Sequence, residues 1–289
     1  MSTATTSRTA PAAAAPVPSD ARVTALHLVR SEWIKLWSLR STYWTIAATI
    51  GVLALLGLAM AATIGMMPAE AGVQVTEGGA DTVYLTLSPG QVFGSLVLVV
   101  LAALAITGEY GTGQVRSTFA ADPRRLGVLW AKGTVVMVVT FATAAVGTAL
   151  SLVIAGAVSS AARPDWSDPE MLRVVLGTPL YIATVALLGF AVGALLRNTA
   201  ASIATVIGFV LVLESILNLI SWKPMEYVRP FLPASAGARL TAPESMLEMS
   251  DSTATVAVQL SPWGGYAVLV AWVVVILAAA AVRLRTRDV

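Results

Sequence analysis

The sequence predicts an all-α polytopic membrane protein: six transmembrane helices behind an N-terminal amphipathic helix lying in the membrane interface. Three observations carry that expectation. Of the 289 residues, 57% are hydrophobic and 12% charged, against about a quarter charged in a soluble domain. Stretches such as 82–106 and 133–162 hold no charge, and roughly 20 apolar residues cross about 30 Å of hydrocarbon as a helix. The basic residues gather at the edges of such stretches, mostly in alternate connections.

Residues 1–21 are rich in Ala, Pro, Ser and Thr and include Pro11, Pro16 and Pro18. With so little to bury they read as a disordered tail, and the short Ala12–Ala15 run is too weak for the apolar region of a signal peptide. The amphipathic helix follows at 22–40. Leu26, Val29, Trp33, Leu36 and Trp37 recur at spacings of three and four, on one face, with His27, Ser31, Lys35 and Ser38 on the other. Trp33 and Trp37 beside Lys35 and Arg40 suit a helix between hydrocarbon and headgroups.

The spans are expected at 43–67, 91–106, 128–158, 172–196, 200–220 and 266–282, forming one six-span domain over 22–289. Connection 68–90 is acidic, and 107–127 is a polar island. Arg197-Asn198 makes a tight turn, and 221–265 is long and broken by Pro224, Pro230, Pro233 and Pro243. Gly90 with Gly94, and Gly189 with Gly193, are candidate close-contact faces. Orientation follows from the basic residues. Arg8, Arg22, Arg30, Lys35 and Arg40 precede the first span. Arg116, Arg124 and Arg125 lie between the second and third and Lys132 at the start of the third, Arg197 between the fourth and fifth, and Arg283, Arg285 and Arg287 after the sixth. The positive-inside rule then puts both termini in the cytoplasm of a cell membrane.

What is missing narrows the function. There is no cysteine, and His27 is the single histidine, so thiolate chemistry and H-E-x-x-H zinc sites are excluded. With no paired carboxylates in the spans, the groups for acid–base catalysis are lacking; the expectation is a chain that is not an enzyme. A net charge of +2 is no nucleic-acid footprint.

The polar island opens with Glu109, Gly111 and Gly113 and closes with Asp122, Pro123, Arg124 and Arg125. The glycines allow a tight reversal, 114–121 can form about two helical turns, and Pro123 ends them. Such a segment is either a docking element for a soluble partner or a solvated loop whose charges fix topology. Glu214 stands within an apolar run, with Asn218 four residues on, on the same face. It either faces a polar path or an outer gate, or reaches water at the interface.

The order G-E-Y-x-T-G-x-x-R-x-T-x-A-x-x-P-R-R, followed by A-K, resembles the cytoplasmic loop of type-2 permeases of ATP-binding-cassette (ABC) transporters, the exporter-like membrane subunits. Here it reads Gly108-Glu109-Tyr110, Thr112-Gly113, Arg116, Thr118, Ala120, Pro123-Arg124-Arg125 and Ala131-Lys132. Ser31-Glu32-Trp33-Ile34-Lys35-Leu36 with Arg40-Ser41 is similar to that family's elbow helix. The resemblance implies that loop 107–127 carries a coupling helix seated in a separate ABC ATPase subunit, contacted by Glu109, Tyr110, Thr112, Gly113, Arg116 and Arg124. It implies a second permease copy, short re-entrant helices within 221–265, and ATP and Mg bound by the partner. No G-x-x-x-x-G-K-[ST] occurs in this chain, so the expected cofactor of the chain itself is none. Glu214 and Asn218 are the candidates for a translocation path. The competing expectation is a secondary transporter driven by an ion gradient, which needs intramembrane charged relays; Glu214 alone would qualify.

Overall fold

The computed structural model describes residues 24–66, 78–112, 125–220, 222–253 and 257–286. The 1–21 tail and the expected short helix at 114–121 lie outside the described residues. Among those described, every regular element is helical. Helix α1 (Ala25–Ser38) starts where the Thr24 hydroxyl accepts the His27 N–H at 3.4 Å, and it stops at an extended Leu39. The chain then turns into α2 (Arg40–Met66), and the Thr42 hydroxyl closes the break by donating to the Leu36 carbonyl at 2.7 Å.

The other long helices are α3 (Ala80–Thr112), α4 (Arg125–Val158), α5 (Met171–Leu196), α6 (Thr199–Leu219) and α10 (Pro262–Thr286). With α2 they make six helices long and apolar enough to cross a membrane. The chain is a multi-pass membrane protein of transporter-like build. Its faces are named here by what they carry: the terminal face holds α1, the start of α2 and the end of α10, and the opposite face lies across the bundle.

Several boundaries differ from the sequence expectation. α3 begins at Ala80, so 80–90 is helix rather than loop, and it runs on to Thr112 through Gly108 and Gly111. Gly111 therefore makes no reversal. Its beginning is fixed from afar, because the Asp168 carboxylate accepts the Ala80 N–H at 2.9 Å. Val83, Thr86 and Leu87 are buried, and that packing holds the first turns helical despite Pro89 inside the helix. α10 likewise begins at Pro262, ahead of the expected 266.

α5 is the centre of the bundle. Its most apolar window is 78% buried, against 17% in α6. Ile182, Val185, Ala186 and Phe190 pack with Leu98, Val99 and Ala102 of α3 and Leu269 of α10. Both glycine pairs are close-contact faces within the chain. A Cβ on Gly189 would lie 3.1 Å from the Val99 carbonyl oxygen, and one on Gly90 would lie 3.3 Å from the Leu53 Cα. α3 thus approaches α5 and α2 nearly backbone to backbone.

The long connection folds back onto the opposite face as α7 (Met225–Val228), a 3₁₀ turn (Arg229–Phe231), α8 (Pro233–Ala238) and α9 (Glu244–Thr253). Leu232, Ala236, Leu240 and Thr241 are buried in it. α8 and α10 touch so closely that a Cβ on Gly265 would overlap the Ala236 carbonyl oxygen.

Candidate functional site

Four charges close into a ring at the terminal face. The Lys35 ammonium on α1 donates to Glu32 Oε1 at 2.7 Å and to Glu109 Oε1 at 3.1 Å. The Lys132 ammonium on α4 donates to Glu109 Oε1 at 2.9 Å and, in a short contact, to Glu32 Oε2. Each lysine therefore bridges both glutamates, and three helices are tied: α1 through Glu32 and Lys35, α3 through Glu109, and α4 through Lys132. The Glu32 and Lys132 side chains are 3% and 6% exposed, while Lys35 keeps 31%. Isolated charges would not withstand such burial, but alternating pairs do. Burial works against the Lys35 charge. The hydrogen bond and negative charge of Glu32, with those of Glu109, outweigh it and hold the ammonium above its ordinary pKa.

The ring has an apolar floor. Leu36, Val135 and Val139 form a small core, joined by Val29, Trp37 and Ile46. Beside the ring lies a cavity of about 250 Å³ lined by Leu39, Leu104 and Val136 as well as the ring itself. The buried edge of α1 is Glu32 with Leu36, not the whole expected stripe: Leu26 and Trp33 are exposed, and Trp37 is half-buried. Trp37 stacks at 5.8 Å from Trp33 and 5.3 Å from Tyr43. Arg40 is exposed at the start of α2.

Against Tyr110, the residue after Glu109, stands a second basic element. Arg197 ends α5 in the left-handed region, φ 59°, the single such non-glycine among the described residues. Its guanidinium lies over the Tyr110 ring, 5.3 Å from the centroid. Its Nε and one terminal nitrogen are buried without an acceptor among the described residues. Beside it the Arg283 guanidinium of α10 donates to the Leu195 carbonyl in a short contact, and Thr199 donates to the Thr107 hydroxyl at 2.7 Å. The ends of α3, α5, α6 and α10 thus converge where the chain passes into 113–124.

On the opposite face Glu214 is buried, and its carboxylate caps α8. It accepts the Ala234 and Ser235 N–H groups, each at 2.8 Å, and the Ser235 hydroxyl at 2.7 Å. Those are backbone donors left over at a helix start. Asn218, one turn on, donates to the same hydroxyl at 3.3 Å. Ahead of Glu214, α6 widens into a π-helix over Gly208–Leu213, which offsets the phase of its last turns. Asn218 also borders a cavity of about 390 Å³ with Tyr84 and Arg239. Arg239 is engaged by Asp251 at 2.8 and 2.9 Å and by the Leu260 carbonyl at 2.7 Å.

Of the expected partner-contact residues, the structure brings Glu109 and Tyr110 to the terminal face and turns both inward. Gly113, Arg116 and Arg124 lie outside the described residues, as does the Thr112 side chain. Sequence reasoning singled out Lys35 and Glu109 but gave no site role to Glu32, Lys132 or Arg197. The signal was present for Lys132, a lone lysine against the uncharged run 133–162. For Glu32 it was a carboxylate one turn before Leu36 on a packed edge. Among the described residues no group of three His, Asp or Glu side chains could hold a metal ion. No protein-family model matches the chain, and no curated protein is significantly similar to it.

Proposed function

We propose that the chain is the transmembrane permease subunit of an ATP-binding-cassette transporter, an exporter driven by a separate ATPase subunit docked on loop 107–127. The observation that carries this reading is the charge ring. Its members come from the elbow-like Glu32 and Lys35, from Glu109 before the loop and from Lys132 after it, and they meet at one point. A force applied to a loop framed in this way reaches α1, α3 and α4 together instead of bending one helix end. Tyr110 and the Arg197 guanidinium over its ring stand beside it.

In this reading both termini face the cytoplasm, and the subunit sits in the plasma membrane. ATP and Mg belong to the partner, and a second permease copy completes the transporter. The scant burial of α6, with Leu211, Val212, Ile216 and Leu219 exposed, leaves a face for that copy. Glu214 serves as a bracket for the outer segment.

The test is a mild-detergent pull-down of the tagged protein from native membranes, with ATPase activity measured on the eluate. Wild type is expected to bring down a nucleotide-binding subunit. Arg116→Glu with Arg124→Glu, substitutions outside the four residues of the ring, should lose it while the permease stays monodisperse. A monodisperse wild-type preparation without any ATPase would overturn the proposal. So would vesicle transport that persists without ATP and collapses with a protonophore, which would establish the ion-gradient mechanism.

A further inference from the structure

A groove of about 330 Å³ runs between α4, α5 and α10, lined by Trp130, Met137, Phe190, Leu277, Ala278 and Ala281 among others, and Thr134 is its one hydroxyl. Its residues come from the start of α4 and the ends of α5 and α10, so it lies in the half of the bundle next to the terminal face. It opens sideways: Trp130, Val138 and Val274 on its rim are each more than half exposed.

The groove has a polarity gradient along its length. On α10 the lining residues Val274, Leu277, Ala278 and Ala281 form one stripe at helical spacing. The next position on that stripe, one turn toward the terminal face, is the exposed Arg285. Arg283 beside it is occupied by the Leu195 carbonyl, which leaves Arg285 as an exposed cation at the groove's mouth among the described residues. Trp130 stands on the α4 rim, and indoles favour headgroup depth. Apolar wall, then indole, then guanidinium is the order met along a phospholipid from tail to phosphate.

We infer that this groove holds one acyl chain of an anionic phospholipid from the terminal-face leaflet, with the lipid phosphate against Arg285. Hydrocarbon gains nothing by leaving other lipid tails for an apolar wall. Selectivity must therefore come from the headgroup, and one arginine at an anionic surface is worth about fivefold in binding. The inference needs the six-span bundle but neither an ATPase partner nor a transport direction.

The experiment is native mass spectrometry of the full chain in mild detergent, incubated with phosphatidylglycerol or with phosphatidylcholine of matched tails. Wild type is expected to retain one phosphatidylglycerol about fivefold over phosphatidylcholine. Arg285→Gln should abolish that preference while unfolding like wild type. Ala278→Phe, which fills the groove, should retain neither lipid. Gly133→Leu fills it from α4, where a Cβ meets Phe190 at an ordinary 3.4 Å, and should act in the same way. Equal retention of the two lipids by wild type overturns the inference, as does undiminished phosphatidylglycerol on a stably folded Ala278→Phe or Gly133→Leu. A wild-type dimer that Ala278→Phe splits without loss of lipid overturns it too, making the groove a contact between copies.

Discussion

Removing one charge from the ring leaves its neighbours buried with an odd charge, at a cost of about 3–5 kcal/mol. Lys132→Ala should destabilise the protein by that amount in detergent unfolding. Adding Glu32→Gln should recover much of the loss, because the remaining Lys35–Glu109 pair is balanced. A double variant no better than Lys132→Ala would show that the pairing is incidental. The ring also sets a pH window. Lys35 has a raised pKa in the folded state, so its contribution is complete below the unfolded-state value and is lost as pH rises through the folded one. Unfolding measured against pH should show a decline in the alkaline range, beginning above about 10.5, and Lys35→Gln should remove that decline. Arg197 predicts the reverse pattern. It combines a left-handed backbone with buried unpaired nitrogens, and a glycine would relieve both. Arg197→Gly should raise the unfolding temperature while lowering ATPase stimulation in the proposed transporter; unchanged stability would show that neither feature carries strain.

At the scale of the element, α8 is a short helix held by another helix's carboxylate. Glu214→Leu should strand its N-terminal N–H groups at about 1–3 kcal/mol. A cysteine at the buried Ala236 should then react faster with maleimide than in the Glu214 parent, and equal rates would show that α8 is held by packing alone. Gly265→Ala should loosen the same region by pressing on the Ala236 carbonyl. These elements also mark how much the sequence could disclose. Long uncharged runs made the six spans legible, since bilayer thickness fixes their length. The start of α3 was not, because it depends on Asp168, 88 residues away, which caps Ala80. The role of Glu214 was open for the same reason: its partners lie 20 and 21 residues further on, across proline breaks. The candidate site was half legible. Lys35 and Glu109 stood out in their motifs, whereas the ring that joins them is a tertiary object that no spacing encodes.

For the whole molecule, orientation is directly accessible because the chain has no cysteine to remove. Ser38 and Ser252 are exposed on opposite faces. A cysteine at Ser252 should react with an impermeant maleimide in intact cells, and one at Ser38 only after permeabilisation; the opposite result would invert the assigned topology.

The ring bears on how such a topology arises in time. Lys35 is synthesised 74 residues before Glu109, and Glu32 100 residues before Lys132. While the chain threads into the bilayer, the later partners do not yet exist. Lys35 has only its near neighbour Glu32, and Lys132 arrives last, to partners already made. Each lysine can act as a retention signal during insertion and is neutralised once the helices meet. In the proposed orientation, the ammonium groups that orient the nascent chain become, once the third span is made, the lock that keeps it assembled, leaving the arginines to advertise its sidedness in the finished protein.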